Sequence, residues 1–182
     1  MKTFISILRG INVGGQKKII MAELKSLYET LKFKEVITYI QSGNVIFKAN
    51  EKLSNADLEK KIEKAIQTKY GFTVPVLVRS AEEMRTVIKN NPLVNNKGID
   101  VGKLHVTFLR EEAAPAVLKS MEAYDFSPDK FIITGKEVFL HIPVSYGETK
   151  LSNTFFENKL KITATTRNWN TVNKLAEMAE GK

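Results

Sequence analysis

The chain has 182 residues, 43% of them hydrophobic, and carries 28 Lys/Arg against 20 Asp/Glu, a formal charge of +8 at pH 7. A chain of that length buries roughly 70% of the surface it exposes when unfolded, so it needs no covalent staples to fold. It has no Cys, which excludes a disulfide framework, thiolate metal sites and a Cys nucleophile and fits a reducing compartment. No window holds the roughly 18 uninterrupted apolar residues of a membrane helix, so a cytoplasmic protein without a membrane partner is expected.

In chain order, residues 3–9 alternate weakly between apolar and polar and predict a mostly buried strand, too broken by Thr3 and Ser6 to be a signal peptide. A loop over residues 10–16 follows. Leu24, Leu27, Tyr28 and Leu31 recur at the spacing of one helical face, which predicts a helix over residues 21–31 packed on a sheet. Residues 36–40 and 45–47 are β-branched and aromatic, and Gln41-Ser42-Gly43-Asn44 between them has the composition of a hairpin turn. Ser54 with Asp57 forms a capping-box signature for a second helix with Leu58, Ile62, Ala65 and Ile66 on its apolar stripe, ending near Gly71. Residues 74–79 close the unit as a strand.

A second capping box, Ser80 with Glu83, opens a helix carrying Met84, Val87 and Ile88 that Asn91-Pro92 must end. Residues 94–102 read as a linker. The order then repeats: a strand over 104–109, a helix over 111–124, a hairpin of 131–133 and 138–142 around Gly135-Lys136, a helix near 153–160 and a short strand over 162–165. A final helix carries Trp169, Val172, Leu175, Ala176 and Ala179, with Gly181 placed to terminate it. The expected fold is therefore α+β, two ferredoxin-like βαββαβ halves with antiparallel sheets and an extra C-terminal helix. The first half occupies residues 1–80, a helix and linker 81–102, and the second half with its added helix 103–182. Matching elements lie roughly 90–100 positions apart, the mark of a structural duplication without residue identity.

Charge divides the halves. Residues 1–80 hold 14 Lys/Arg against 7 Asp/Glu, and residues 81–182 hold 14 against 13. A basic half raises the local concentration of anionic partners, whether phosphorylated metabolites or nucleic acid. The bland explanation is solubility, since Lys60, Lys61 and Lys64 alternate with Glu59 and Glu63 as on a solvated helix face.

Three loop motifs carry candidate binding residues. In the first, Arg9, Gly10, Asn12, Gly14, Gly15 and Lys17 lie between a strand and a helix, where backbone N–H groups can face an anion. The spacing matches neither a dinucleotide-binding fingerprint nor a P-loop; a connection that needs glycine for its path is the structural explanation. In the second, Gln41, Ser42 and Asn44 place three hydrogen-bonding side chains in one turn. In the third, Arg167, Asn168 and Trp169 open the last helix. A cation at a helix's positive end asks for an anionic partner, which a carboxylate of the chain or a bound phosphate would supply, while Trp169 at the head of an apolar stripe reads as core or as a stacking platform. His105 and His141 fall in strands without an acidic neighbour in sequence, so no metal or cofactor is expected. No residue pattern identifies a general base, a nucleophile or an RNA-recognition strand, and the sequence leaves open whether the protein is an enzyme.

These segments, Leu8-Arg9-Gly10-Ile11-Asn12-Val13-Gly14-Gly15 with Met21-Ala22-Glu23-Leu24, then Tyr39-Ile40-Gln41-Ser42-Gly43-Asn44, then the run from Ala164 to Val172, resemble the bacterial family catalogued as domain of unknown function 1697. The resemblance implies a duplicated ferredoxin-like fold and no particular reaction. The expected function is binding of an anionic or phosphorylated small ligand through the first loop. The alternatives are nucleic-acid binding through the basic half and an exposed sheet face, or a structural, protein-interaction role.

Overall fold

The computed structural model describes residues 1–181 and divides the chain into two compact units, Met1–Thr86 with the chain from Lys174 onward, and Val87–Asn173. Among the described residues there are six α-helices and two antiparallel four-stranded sheets. The first unit contains β1 (Lys2–Leu8), α1 (Met21–Thr30), β2 (Lys34–Tyr39), β3 (Asn44–Ala49), α2 (Asn55–Tyr70), β4 (Val76–Ser80) and the start of α3 (Ala81–Lys89). The second contains a 3₁₀ turn (Val101–Lys103), β5 (Leu104–Leu109), α4 (Pro115–Met121), β6 (Lys130–Thr134), β7 (Glu137–His141), α5 (Asn153–Leu160), β8 (Ala164–Asn168) and the start of α6 (Trp169–Ala179). The sheets run β2-β3-β1-β4 and β6-β7-β5-β8.

In the first unit α1 buries Leu24, Leu27 and Tyr28, and α2 buries Leu58, Ile62 and Ile66. They meet Phe4, Leu8, Val45, Phe47, Val76 and Val78 from one face of the sheet. Phe33 stacks on Phe47 at 4.6 Å, and the Tyr28 hydroxyl, whose ionisation burial pushes up, pairs with Ser6 Oγ at 2.8 Å. The alternate strand residues Ile5, Ile7, Ile46 and Leu77 are buried as well, at 0–3% exposure. Both capping boxes form: Asp57 N donates to Ser54 Oγ at 3.1 Å, and Glu83 N to Ser80 Oγ at 3.1 Å. Gly71, with φ +78°, ends α2.

Two elements differ from the sequence expectation. The helix expected over residues 111–124 spans only Pro115–Met121, because Pro115 occupies its first turn and holds Ala114 extended at φ −60°, ψ 144°. The strand expected over residues 162–165 is Ala164–Asn168. Lys161 leaves α5 in the left-handed region (φ +59°), and pairing with β5 sets the strand, Leu109 facing Ala164 and His105 facing Asn168.

Glu59 and Glu63, which read as helix-surface charge in sequence, have a different role. Because β4 ends its sheet, its outward N–H groups have no strand to meet and need other acceptors. Glu63 Oε1 accepts from Val76 N and Glu59 Oε1 from Val78 N, both at 2.9 Å, and Glu59 is buried. The second unit repeats the device. There β8 ends the sheet, and Glu157 of α5 accepts from Ala164 N at 3.1 Å.

Candidate functional site

The glycine-rich loop is itself a small hairpin. Gly14 (φ +58°) and Gly15 (φ +73°) fill the two central positions of a tight turn closed by Gln16 N donating to Val13 O at 3.0 Å, a conformation that requires positive φ at both positions. The next rung is Asn12 N to Lys17 O at 3.2 Å. Three further residues, 18–20, separate this hairpin from α1, and Ile20 at the N-cap position provides no side-chain cap.

Asn12 joins this loop to the second motif. Its Nδ2 donates to Ile19 O at 3.0 Å and to Gln41 O at 2.8 Å, and its Oδ1 accepts from Ile19 N at 2.9 Å. Both amide protons are therefore engaged in holding loops. Leu8 N donates to Gly43 O at 2.9 Å. At Gly43 (φ +83°) a Cβ would lie 2.6 Å from Ile11 Cδ1, so the contact between loop and turn needs glycine. Asn44, fully buried, donates to Tyr39 O at 3.0 Å and Ser42 Oγ at 3.1 Å, bracing the turn from below.

The outward side of this joined surface consists of Gly10, Gly14, Gly15, Gln16, Lys18 and Gln41, all exposed, with Arg9, Lys17 and Ser42 half-buried. Among the described residues nothing lies within 4 Å of a Cβ built on Gly10, Gly14 or Gly15, which leaves that side of their backbone open to close approach. Lys17 Nζ donates to Thr73 O at 2.7 Å, and Arg9 N donates to Pro75 O at 2.9 Å, anchoring both arms of the loop to the segment before β4. Val13, Ile20 and Ile40, each one position from a residue in the Asn12 bridge, are exposed at 67%, 63% and 47%.

The third motif belongs to the second unit. Asn168 caps α6, its Oδ1 accepting from Thr171 N at 2.8 Å. Arg167 lies in β8, is buried, and donates from Nη1 to Thr165 Oγ1 at 3.1 Å and Thr166 O at 2.9 Å. Burial lowers its pKa to about 10, so it stays charged at neutral pH. Trp169 is 6% exposed and belongs to the core.

Sequence reasoning missed a hydroxyl chain in this unit. Thr107 and Thr166 face each other across β5 and β8 with Oγ1 atoms 2.7 Å apart, and Thr166 Oγ1 donates to Asn153 Oδ1 at 2.6 Å. Since Thr166 has a single proton, Thr107 is the donor in the first contact. The chain ties the start of α5 to the sheet; only the strand register brings these residues together. His105 stacks on Tyr146 at 4.8 Å between centroids, and burial lowers its pKa. His141 is buried, its pKa also lowered by burial, and among the described residues neither of its ring nitrogens has a hydrogen-bond partner. Among the described residues no group of three or more His, Asp or Glu could hold a metal ion, and no helix is long and apolar enough to cross a membrane.

Fold and loops together define a mixed α+β protein with two antiparallel four-stranded sheets, in which the first two motifs centre on loops and the third runs from β8 into α6. The chain belongs to the family described as "Protein of unknown function (DUF1697)", whose model matches residues 1–139 and so includes the two joined loops but not the third motif. Its fold is similar to that of the conserved bacterial protein SP0830 from Streptococcus pneumoniae, with a TM-score of 0.77 and 26% identity over 99% of each chain. A search of curated proteins finds no match.

Proposed function

We propose that this protein binds an anionic, phosphorylated small ligand on the joined loops of its first unit. Arg9, Lys17, Gln41, Ser42 and the backbone of Gly10, Gly14 and Gly15 are the contacts, and Asn12 and Asn44 are the struts that position them. The observation that carries this reading is the Asn12 amide, which bridges to a turn 29 positions away and makes one surface of two polar loops. The open backbone of the three glycines and the +7 balance of residues 1–80 support it. Arg167 and Trp169, being buried, and Asn168, engaged as a cap, are left out of the contact set. We read the two units as a duplicated ferredoxin-like pattern, supported by their shared element order and matching strand orders. The absence of Cys supports a cytoplasmic setting.

The test is a thermal-shift screen of inorganic phosphate, sugar phosphates, nucleotides and short oligonucleotides at two salt concentrations. A ligand present at 100 times its Kd adds roughly 2.7 kcal/mol to the native state. Arg9→Ala should fold and lose that gain; a folded Arg9→Ala protein that binds every anion as the parent does removes the reading. A response to oligonucleotides alone, falling steeply with salt, would favour nucleic acid instead. That alternative was expected to use an exposed sheet face, yet Ile5, Ile7, Ile46 and Leu77 are buried, so it would have to rest on the lysine-bearing loops and helices.

A further inference from the structure

Between α1 and α2 lies a groove of about 380 Å³, floored by Leu27, Leu31 and Ala65 and rimmed by Lys61, Lys64 and Lys69. On α2 the lining residues 61, 64, 65, 68 and 69 stand at the i, i+3, i+4, i+7, i+8 spacing of a single face, so the three lysines spring from one wall of the groove in a row. Lys61 and Lys69 are eight residues apart, about 12 Å along the axis, or a little over two turns.

The lysines at the two ends are tethered. Lys61 Nζ donates to Leu31 O at 3.1 Å, just past the end of α1, and lies 5.2 Å from the centre of the Phe33 ring. Lys69 Nζ donates to Glu23 O at 3.2 Å in the first turn of α1 and lies 5.2 Å from the Tyr70 ring. The middle of α2 thus faces the end of α1 and the last turn of α2 faces its start, so the helices run antiparallel with a cation crossing at each end of the groove. Lys64, between them and exposed, has no hydrogen-bond or ion-pair partner for its ammonium among the described residues. An apolar floor crossed by a cation at each end, with the Lys64 cation between them, is a surface whose complement carries an apolar stripe beside carboxylates.

We propose that this groove docks a short acidic amphipathic helix of another protein. A trough between two antiparallel helices accepts a third helix as a ridge into a groove, with apolar anchors recurring every three or four residues. A fatty chain in the same place would keep one side in water, because Lys61, Lys64, Thr68 and Lys69 all stand exposed along the trough. The charge balance sets the partner's sign: residues 1–80 carry 14 Lys/Arg against 7 Asp/Glu, so a basic helix is repelled and an acidic one is drawn in. Glu23 is exposed at the Lys69 end, which places the partner's carboxylates towards Lys61 and Lys64. The site is separate from the loop surface proposed above and does not depend on it.

The experiment is selection of a displayed library of random peptides, about 16 residues each, on the full chain, followed by fluorescence anisotropy with labelled synthetic copies of the enriched sequences. Those sequences should be net negative with apolar residues at helical spacing. Lys64→Glu and Thr68→Trp, the latter filling the trough, should each weaken binding by about tenfold with unchanged Tm, while Arg9→Ala leaves it intact. Enrichment of nothing, enrichment without an acidic bias, or undiminished binding to both variants overturns the proposal. So does a result in which sodium decanoate shifts the NMR signals of Leu27, Leu31 and Ala65 and no peptide does, since the trough would then hold an acyl anion.

Discussion

His141 shows what burial does to one side chain. It ends β7, its ring nitrogens find no hydrogen-bond partner among the described residues, and desolvation holds its pKa below the ordinary value, with Lys130 adding to the shift and Asp100 and Asp129 opposing it. His105 is shifted in the same direction, also by burial. The unfolded chain takes up these protons near pH 6.5, whereas the native state resists them. Stability is therefore complete above about pH 6.5 and falls as the pH drops from there towards the lower native values. Unfolding free energies from urea titrations at about pH 7.5 and pH 5.5 should show this loss, and His141→Phe should reduce it. An identical loss in that variant would mean that the acid sensitivity arises elsewhere.

The turns at Gly43 and Gly14 look alike in sequence and differ in what surrounds them. At Gly43 a Cβ would meet Ile11 Cδ1 at 2.6 Å and Leu8 Cβ at 2.9 Å, whereas at Gly14 it would meet nothing within 4 Å. Gly14→Ala should therefore cost only the left-handed backbone penalty, about 1–2 kcal/mol. Gly43→Ala adds a clash that pushes apart the two joined loops, and the loss should exceed that of Gly14→Ala by about 1 kcal/mol or more. Equal losses by chemical denaturation would show that the loop gives way freely at Ile11. The β2–β3 turn was legible because its composition is local: Gly43 with Asn44 between two β-branched runs. The hairpin over residues 12–17 was not, because its strut is an Asn whose partners are backbone groups at Ile19 and Gln41. The same limit hid the Thr107, Thr166 and Asn153 chain, since no spacing in sequence encodes a strand register. Where a local rule did apply and was overlooked, the error was short: Pro115 removed the first turn of the helix expected from Glu111.

At the scale of the whole chain the two sheets share a device for finishing an edge. Each sheet ends in a strand whose outward N–H groups are met by a carboxylate from a helix, Glu59 and Glu63 in the first unit and Glu157 in the second. In sequence Glu59 and Glu63 stand among lysines and look solvated; their role follows only once β4 is known to be an edge. Removing such an acceptor strands a backbone donor, so Glu59→Ala, at a buried side chain, should cost about 2 kcal/mol. Glu157→Ala, at a half-buried one, should cost about 1 kcal/mol, and the glutamine variants less, since an amide oxygen still accepts. The two glutamates serve different sheets and share no partner among these bonds, so the double alanine variant should lose the sum of the single losses to within about 0.5 kcal/mol. Denaturant unfolding of the four proteins measures this directly. A double variant far from additive would show that the two edges are energetically coupled and that the two units do not stabilise their sheets independently.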